Sequence, residues 1–283
     1  MRILRYLFLF FCILTNTFQL RAQDTKAVSY FEKAKQAYQN RNLDLTKVYL
    51  DSAINLDNKY AEAFARRGLL SYELSDMATA IKDYNQAMTI IKKQSKDQNR
   101  LLAILYYRRG AAYYQLLNTI KALKDFNKTI KIDSEYTQAY VARGAIKEDK
   151  DDLKGALKDY SKAIKTNPNY AMAYYNRGLV YYNLGKANKA LKDWDKALNL
   201  NEKYVDVYIA RAFAFQSGEN YAQALRDYTQ AIQYNPYSAE AYLNRGIVYH
   251  KMGKNNKACN DWQQSLKVGG VDAKKYLDKH CKK

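Results

Sequence analysis

The sequence predicts an all-α chain built as a solenoid of stacked helical hairpins, and three observations lead there. The 283 residues hold only 11 glycines and 2 prolines, where an average chain of that length carries about 20 and about 14. Turn material for many β-hairpins or βα crossovers is therefore missing. Hydrophobic residues make up 48% and charged residues 27%, so there is ample apolar surface to bury and disorder is excluded. Finally, an Arg-Gly pair or near variant returns at Arg67-Gly68, Arg109-Gly110, Arg143-Gly144, Arg177-Gly178, Arg211-Ala212 and Arg245-Gly246, at spacings of 42, 34, 34, 34 and 34. A fixed period in that range means that each unit is one supersecondary structure stacked on the next.

From the start of the chain, residues 1–23 read as a signal peptide. Arg2 and Arg5 precede the wholly apolar run Tyr6 to Leu14, and a more polar stretch leads to Arg21, Ala22 and Gln23, the order of a secretory signal. The run falls short of the roughly 20 apolar residues of a membrane span; a retained N-terminal anchor is the alternative. No longer apolar run follows, so no membrane span is expected after signal removal. Removing Arg2, Arg5 and Arg21 with no acid takes the net charge from +19 to +16. So basic a chain attracts anionic lipid or acidic envelope polymer at long range, while export argues against nucleic acid as a partner.

The register continues around each Arg-Gly pair. Four residues before the Gly or Ala stands an aromatic (Phe64, Tyr106, Tyr140, Tyr174, Tyr208, Tyr242). Twelve residues after it comes an alanine (Ala80, Ala122, Ala156, Ala190, Ala224, Ala258), and four further on another aromatic (Tyr84, Phe126, Tyr160, Trp194, Tyr228, Trp262). Pro168 and Pro236 occupy one common position. This pattern resembles the tetratricopeptide repeat, with Arg in place of the usual Leu. The resemblance implies a right-handed α-solenoid of seven helix-turn-helix repeats, at 27–60, 61–94, 103–136, 137–170, 171–204, 205–238 and 239–272, within a solenoid of residues 24–272. The first repeat is degenerate, as a terminal unit is expected to be. An insertion, 95–102, separates the second and third repeats and is expected to lengthen a helix through Ile90 to Lys96. Residues 273–283 read as a C-terminal capping helix.

Within each hairpin small residues such as Gly144 and Ala156 let two helices approach while the aromatics fill the space beside them. Apolar residues on the second helix (Ile81, Leu123, Leu157, Leu191, Leu225, Cys259) are expected to bury against the next repeat. Arg67, Arg109, Arg143, Arg177, Arg211 and Arg245 are each followed 16 residues later by Asp83, Asp125, Asp159, Asp193, Asp227 and Asp261. That pairing predicts a structural ladder in which guanidinium forks lock helices together. After signal removal two cysteines remain, Cys259 and Cys281, expected to form a disulfide in an oxidising compartment. His250 and His280 lie nearby, but adjacent His280 and Cys281 diverge on a helix, and no metal site is expected.

Helical spacing and the resemblance together place Tyr38, Tyr72, Tyr107, Tyr114, Tyr175, Tyr182, Arg66, Arg108, Asn176 and Asn244 on a concave groove. Rigid tyrosines there would offer stacking area and hydroxyl hydrogen bonds to a peptide segment or helix of another protein. The carboxylate clamp of some family members is absent, because Val141, Ala145, Asp206 and Ala210 flank the matching asparagines. Lys82, Lys124, Lys158 and Lys192, then Lys128, Lys162 and Lys196, form an outer basic stripe. No nucleophile stands beside a base and no glycine loop cradles a phosphate, so neither enzyme activity nor a cofactor is expected. The reading is an exported interaction scaffold, periplasmic or envelope-associated in a Gram-negative bacterium. A glycan- or peptidoglycan-binding envelope protein and a structural bridge in an envelope assembly are its rivals.

Overall fold

A computed structural model describes residues 25–94 and 99–281. The signal expected over residues 1–23 lies outside the described residues, as do residues 95–98 at the start of the insertion and the last two residues of the chain. The described residues form 15 helices and no strand, paired as seven helical hairpins with the last helix packed on the fourteenth. The chain divides into two compact units, Met1–Asp97 and Gln98–Lys283.

The first unit contains two hairpins, α1 (Thr25–Gln39) with α2 (Leu43–Leu56) and α3 (Ala61–Glu73) with α4 (Met77–Gln94). The second contains five: α5 (Asn99–Gln115) with α6 (Thr119–Ile132), α7 (Thr137–Asp149) with α8 (Leu153–Thr166), α9 (Ala171–Asn183) with α10 (Ala187–Leu200), α11 (Val205–Ser217) with α12 (Tyr221–Tyr234) and α13 (Ala239–Lys251) with α14 (Asn255–Lys267). A last helix, α15 (Ala273–His280), follows. The insertion lengthens both flanking helices, to 18 residues in α4 and 17 in α5, against 13 and 14 in α7 and α8. The single longer helix expected through Ile90 to Lys96 is thus helical as far as Gln94, Lys96 lying outside the described residues.

Local chemistry sets the hairpin ends. Asn42, Asn118, Asp152 and Asn220 precede second helices, and their side chains accept the backbone N–H three residues on, satisfying an otherwise orphaned donor. Just before each cap the chain takes a left-handed residue. This is Gly185 (φ 71°) and Gly253 (φ 73°) in two hairpins, where the absence of a Cβ removes the steric cost. Each second helix from α2 to α12 except α4 ends on an Asx turn, in which Asp57, Asp133, Asn167, Asn201 or Asn235 accepts the N–H two residues later.

The core of each hairpin from the second to the seventh rests on one aromatic of the second helix against one small residue of the first, Leu50 taking the aromatic's place in the first hairpin. Tyr84, Phe126, Tyr160, Trp194, Tyr228 and Trp262 are all at most 1% exposed. Burying each side chain contributes on the order of 2–3 kcal/mol. A Cβ at Gly144 would stand 2.7 Å from Cε1 of Tyr160, so any larger residue would push the helices apart. In α11 the same place is taken by Ala212, which is fully buried. At the C-terminal end α15 covers the exposed side of the last hairpin, with Ala273 buried and Tyr276 stacked on Trp262 at 5.1 Å between ring centroids.

Candidate functional site

All six Arg–Asp pairs have the same geometry. Each guanidinium donates from Nε and Nη2 to the two carboxylate oxygens of its Asp, at 2.6–2.8 Å throughout. The remaining nitrogen, Nη1, reaches back to the preceding hairpin in five of them, to Asp51, Asn127, Ser161, Asp195 and Thr229. One arginine therefore ties together three helices. Hydrogen bonding to Asp193 pushes Arg177 above its usual value. The same arginines lie over aromatic faces, for example Arg143 over Tyr140 at 5.5 Å, which adds a cation–π component. The ladder thus packs neighbouring helices together.

In α5, α9 and α13 a second sandwich forms. Tyr113, Tyr181 and Tyr249 each lie between the ladder arginine (5.8, 5.8 and 6.0 Å) and a lysine of the second helix, Lys121, Lys189 or Lys257 (5.2, 5.6 and 5.6 Å).

The tyrosines placed on the groove divide into packing and surface residues. Tyr107 packs against Tyr136 with ring centroids 5.1 Å apart and Tyr175 against Tyr204 at 5.2 Å, both tilted, as Phe31 does against Tyr60 at 5.0 Å in the first unit. Tyr175 is 7% exposed. Its ring is a corrected assignment: it fills the joint between hairpins and offers little face to a partner. Tyr38 and Tyr114 are half-buried and donate their hydroxyls to an acid of the next first helix, Glu73 and Asp149, both at 2.6 Å. Burial and then Asp149 push the Tyr114 hydroxyl well above the usual phenol value. Tyr182 lies half-buried between Trp194 and Phe213, with Phe213 45% exposed. Tyr72 is half-buried on α3.

A coupling between two positions of the repeat was missed in the sequence. In the second unit, where the second helix carries Tyr, its hydroxyl donates to the residue 12 positions earlier: Tyr160 to Glu148 at 2.8 Å, Tyr228 to Gln216 at 3.0 Å. Where it carries Trp, the indole N–H turns instead to a backbone carbonyl, Trp194 to Tyr175 and Trp262 to Leu243, both at 3.2 Å. The freed position then holds a ring, Tyr182 or His250, against the Trp. The chemistry of the buried aromatic thus dictates its exposed neighbour, a relation readable from the two columns of residues once set side by side.

Of the polar groove candidates, Arg66 borders a cavity of about 20 Å³ beside Tyr38, room for no more than a water. Arg108 lies near Tyr136, whose hydroxyl burial pushes up to about 12 against the pull of that arginine. Asn244 is half-buried. Asn176 differs: it is 8% exposed and its amide nitrogen has no hydrogen-bond partner among the described residues. The residues at the same position of the neighbouring first helices are Ala142 and Ala210.

At the C-terminal end Cys259 and Cys281 are joined, with Cα atoms 5.8 Å apart. The tilted rings of His250 and His280 lie 4.2 Å apart beside Trp262, and among the described residues no group of three or more His, Cys, Asp or Glu is placed to hold a metal. No helix among the described residues is long and apolar enough to cross a membrane.

Comparisons with known proteins agree with this geometry. Family models described as tetratricopeptide repeat match residues 171–204 and 239–268, and one described as TPR repeat matches 146–185 and 214–253. No curated protein sequence gives a significant match. Among solved structures, a tetratricopeptide repeat protein from Parabacteroides merdae is similar over 92% of this chain and all of its own, with 17% identity and TM-score 0.68. PilF of Pseudomonas aeruginosa is similar over 77% of this chain and 97% of its own, at 17% identity and TM-score 0.66. YrrB, described as a TPR protein with an unusual peptide-binding site, is similar over 66% and 97%, at 21% identity and TM-score 0.51. At these identities the likeness is one of fold. The chain carries tetratricopeptide repeats, recognised in sequence between residues 146 and 268, and its all-helical fold is that of tetratricopeptide solenoids.

Proposed function

We propose that this chain is an exported protein-interaction scaffold that holds an extended segment of its partner against the first helices of the second unit. Tetratricopeptide-repeat proteins are in general interaction scaffolds, and that much follows from the fold. The observation that carries the finer reading is the unpaired amide of Asn176. A buried N–H₂ without an acceptor costs roughly 1–3 kcal/mol, a cost that a partner's backbone carbonyl would remove. The amide nitrogen is closed to solvent, so a partner's carbonyl reaches it by displacing the side chains that cover it, and Tyr182 with the exposed Phe213 supplies apolar contact area nearby. Asn244, two hairpins on, offers the same group to a continuing segment. Export to the periplasm or envelope rests on the N-terminal sequence and is consistent with the joined cysteines, which persist in oxidising compartments.

The test is capture from a native envelope extract by the mature chain and by an Asn176→Ala, Asn244→Ala variant, with the bound proteins identified by mass spectrometry. A protein retained by wild type and lost by the variant supports the reading. If both retain the same material and about 0.5 M salt releases it, as surface electrostatics requires, the reading fails and the lysine stripe is the binding surface.

A further inference from the structure

The fourth repeat breaks the pattern of its neighbours at two places, and the structure opens there. At the position of Tyr113, Tyr181 and Tyr249 stands Lys147, and at the position of Lys121, Lys189 and Lys257 stands Gly155. Both members of the cation–π sandwich are thus absent around Arg143. In their place lies a cavity of about 400 Å³, walled by Leu123 and Asn127 of α6 and by residues of α7, α8 and the turn between them.

Its charge is strongly one-sided. Arg143, Lys147, Lys150 and Lys158 line it, against Asp152 and Asp159. Asp159 is neutralised from both sides, by the Arg143 fork and by Lys147 Nζ at 2.8 Å. Asp152 is engaged in capping α8 through Gly155 N–H at 2.9 Å. Lys150 and Lys158 are exposed, and their ammonium groups make no hydrogen bond or ion pair among the described residues, so two ammonium groups remain for a guest. Two uncompensated positive charges match a dianion. The cavity is several times the volume of one phosphate oxyanion, leaving room for whatever carries it.

We propose that this cavity is a binding site for a phosphoryl dianion borne by a phosphomonoester, with Lys150 and Lys158 as its direct ligands and Lys147 closing the inner end. The site is separate from the groove residues, so its test is independent of the partner-binding reading.

The experiment is titration of the mature chain with inorganic phosphate at low ionic strength, by calorimetry and by ³¹P line broadening, with succinate as the dicarboxylate comparison. Wild type is expected to saturate with a Kd on the order of 1 mM. Lys147→Tyr restores the residue that sister repeats fold with and fills the cavity, and Lys150→Ala, Lys158→Ala removes the ligands from an exposed surface. Each is expected to weaken binding about tenfold or more, with unchanged helicity by circular dichroism. Vesicles of phosphatidylcholine containing phosphatidic acid identify the source. Retention of wild type but not Lys147→Tyr supports a lipid headgroup as the carrier, and phosphate binding without retention supports a soluble phosphomonoester. No saturation by wild type, equal binding by both variants, or succinate binding as tight as phosphate overturns the proposal.

Discussion

Replacing Arg177 by Ala measures what the ladder contributes. Asp193 accepts two guanidinium hydrogen bonds at 2.8 Å and its side chain is 10% exposed, while that of Arg177 is 20% exposed. Removing one partner of such a buried pair costs about 3–5 kcal/mol, because the carboxylate left behind is uncompensated. Some water can reach Asp193, which puts the expected loss near the lower end, about 3 kcal/mol. For a chain of this size each kcal/mol lowers Tm by about 2–4 °C, so Arg177→Ala should melt about 6–12 °C below wild type. The double variant Arg177→Ala, Asp193→Ala leaves no orphaned charge and should recover at least about 1 kcal/mol of that loss. Ser161→Ala deletes only the exposed outer hydrogen bond at 3.2 Å and should change stability by less than about 0.5 kcal/mol. Thermal and urea melts of the three variants decide the matter. If Arg177→Ala behaves like Ser161→Ala, or if the double variant is less stable than the single one, the ladder is not a set of buried, interdependent pairs.

The cysteine bridge, the acid beneath Tyr160 and the helix contact of Gly144 give further expectations. Cys281→Ser opens a closure of 22 residues, worth roughly 3 kcal/mol in the chain-entropy model. It should loosen α15 first, seen as faster amide exchange over 273–280, and equal exchange in wild type and variant would rule out that anchoring. Burial raises the Glu148 carboxyl above its ordinary value of 4.5, so the folded state takes up that proton at higher pH than the unfolded chain does. The stability this group contributes is full below about 4.5 and is lost as pH rises through the raised folded value. Glu148→Gln keeps an acceptor for Tyr160, as Gln216 does for Tyr228, and carries no charge. The Tm of wild type relative to this variant should therefore rise as pH falls from 7 toward 4, and a flat or falling difference contradicts the assignment. Gly144→Ala should cost about 1–3 kcal/mol by forcing Tyr160 away. Ala212→Gly, where the methyl is already accommodated, should cost about 1 kcal/mol through helix propensity and the lost contact; a reversed order in urea melts would mean that the helix spacing is not set at this contact.

The hairpin frame was legible because the residues that define it are under steric constraint in every repeat. Gly144 and its equivalents lie within contact of a buried ring, and the Arg–Asp pairs need one fixed separation to bridge two antiparallel helices. The groove was less legible. Helical spacing assigned Tyr175 to the partner surface, yet the same spacing aims it at Tyr204 at the end of its own hairpin, and a 34-residue register carries no information on which of two half-turns a ring takes. Asn176 was named from its position, but that its amide is unpaired depends on what the neighbours fail to supply, which only coordinates show. The cavity beside Lys147 was missed for the opposite reason. It is marked by departures from the repeat, and reading what recurs passes over what does not.

In the second unit those departures have their own order. The third, fifth and seventh repeats carry Tyr at the sandwich position (Tyr113, Tyr181, Tyr249), Lys opposite it (Lys121, Lys189, Lys257) and a polar groove residue (Arg108, Asn176, Asn244). The fourth and sixth carry Lys147 or Phe215, Gly155 or Gln223, and Ala142 or Ala210 at the same places. The effective period is two hairpins, because each buried aromatic sets its neighbour: Trp194 and Trp262 release the position that Glu148 and Gln216 must fill for Tyr160 and Tyr228. A partner segment lying across the first helices would then find hydrogen-bonding groups at every second hairpin and smooth alanine between. Asn176→Ala and Asn244→Ala should each weaken capture, by about 1 kcal/mol or more per hydrogen bond lost. Ala210→Ser, which adds a small polar group between them, should leave capture unchanged. Loss of capture from Ala210→Ser with none from Asn176→Ala would show that the partner tracks the intervening hairpins instead.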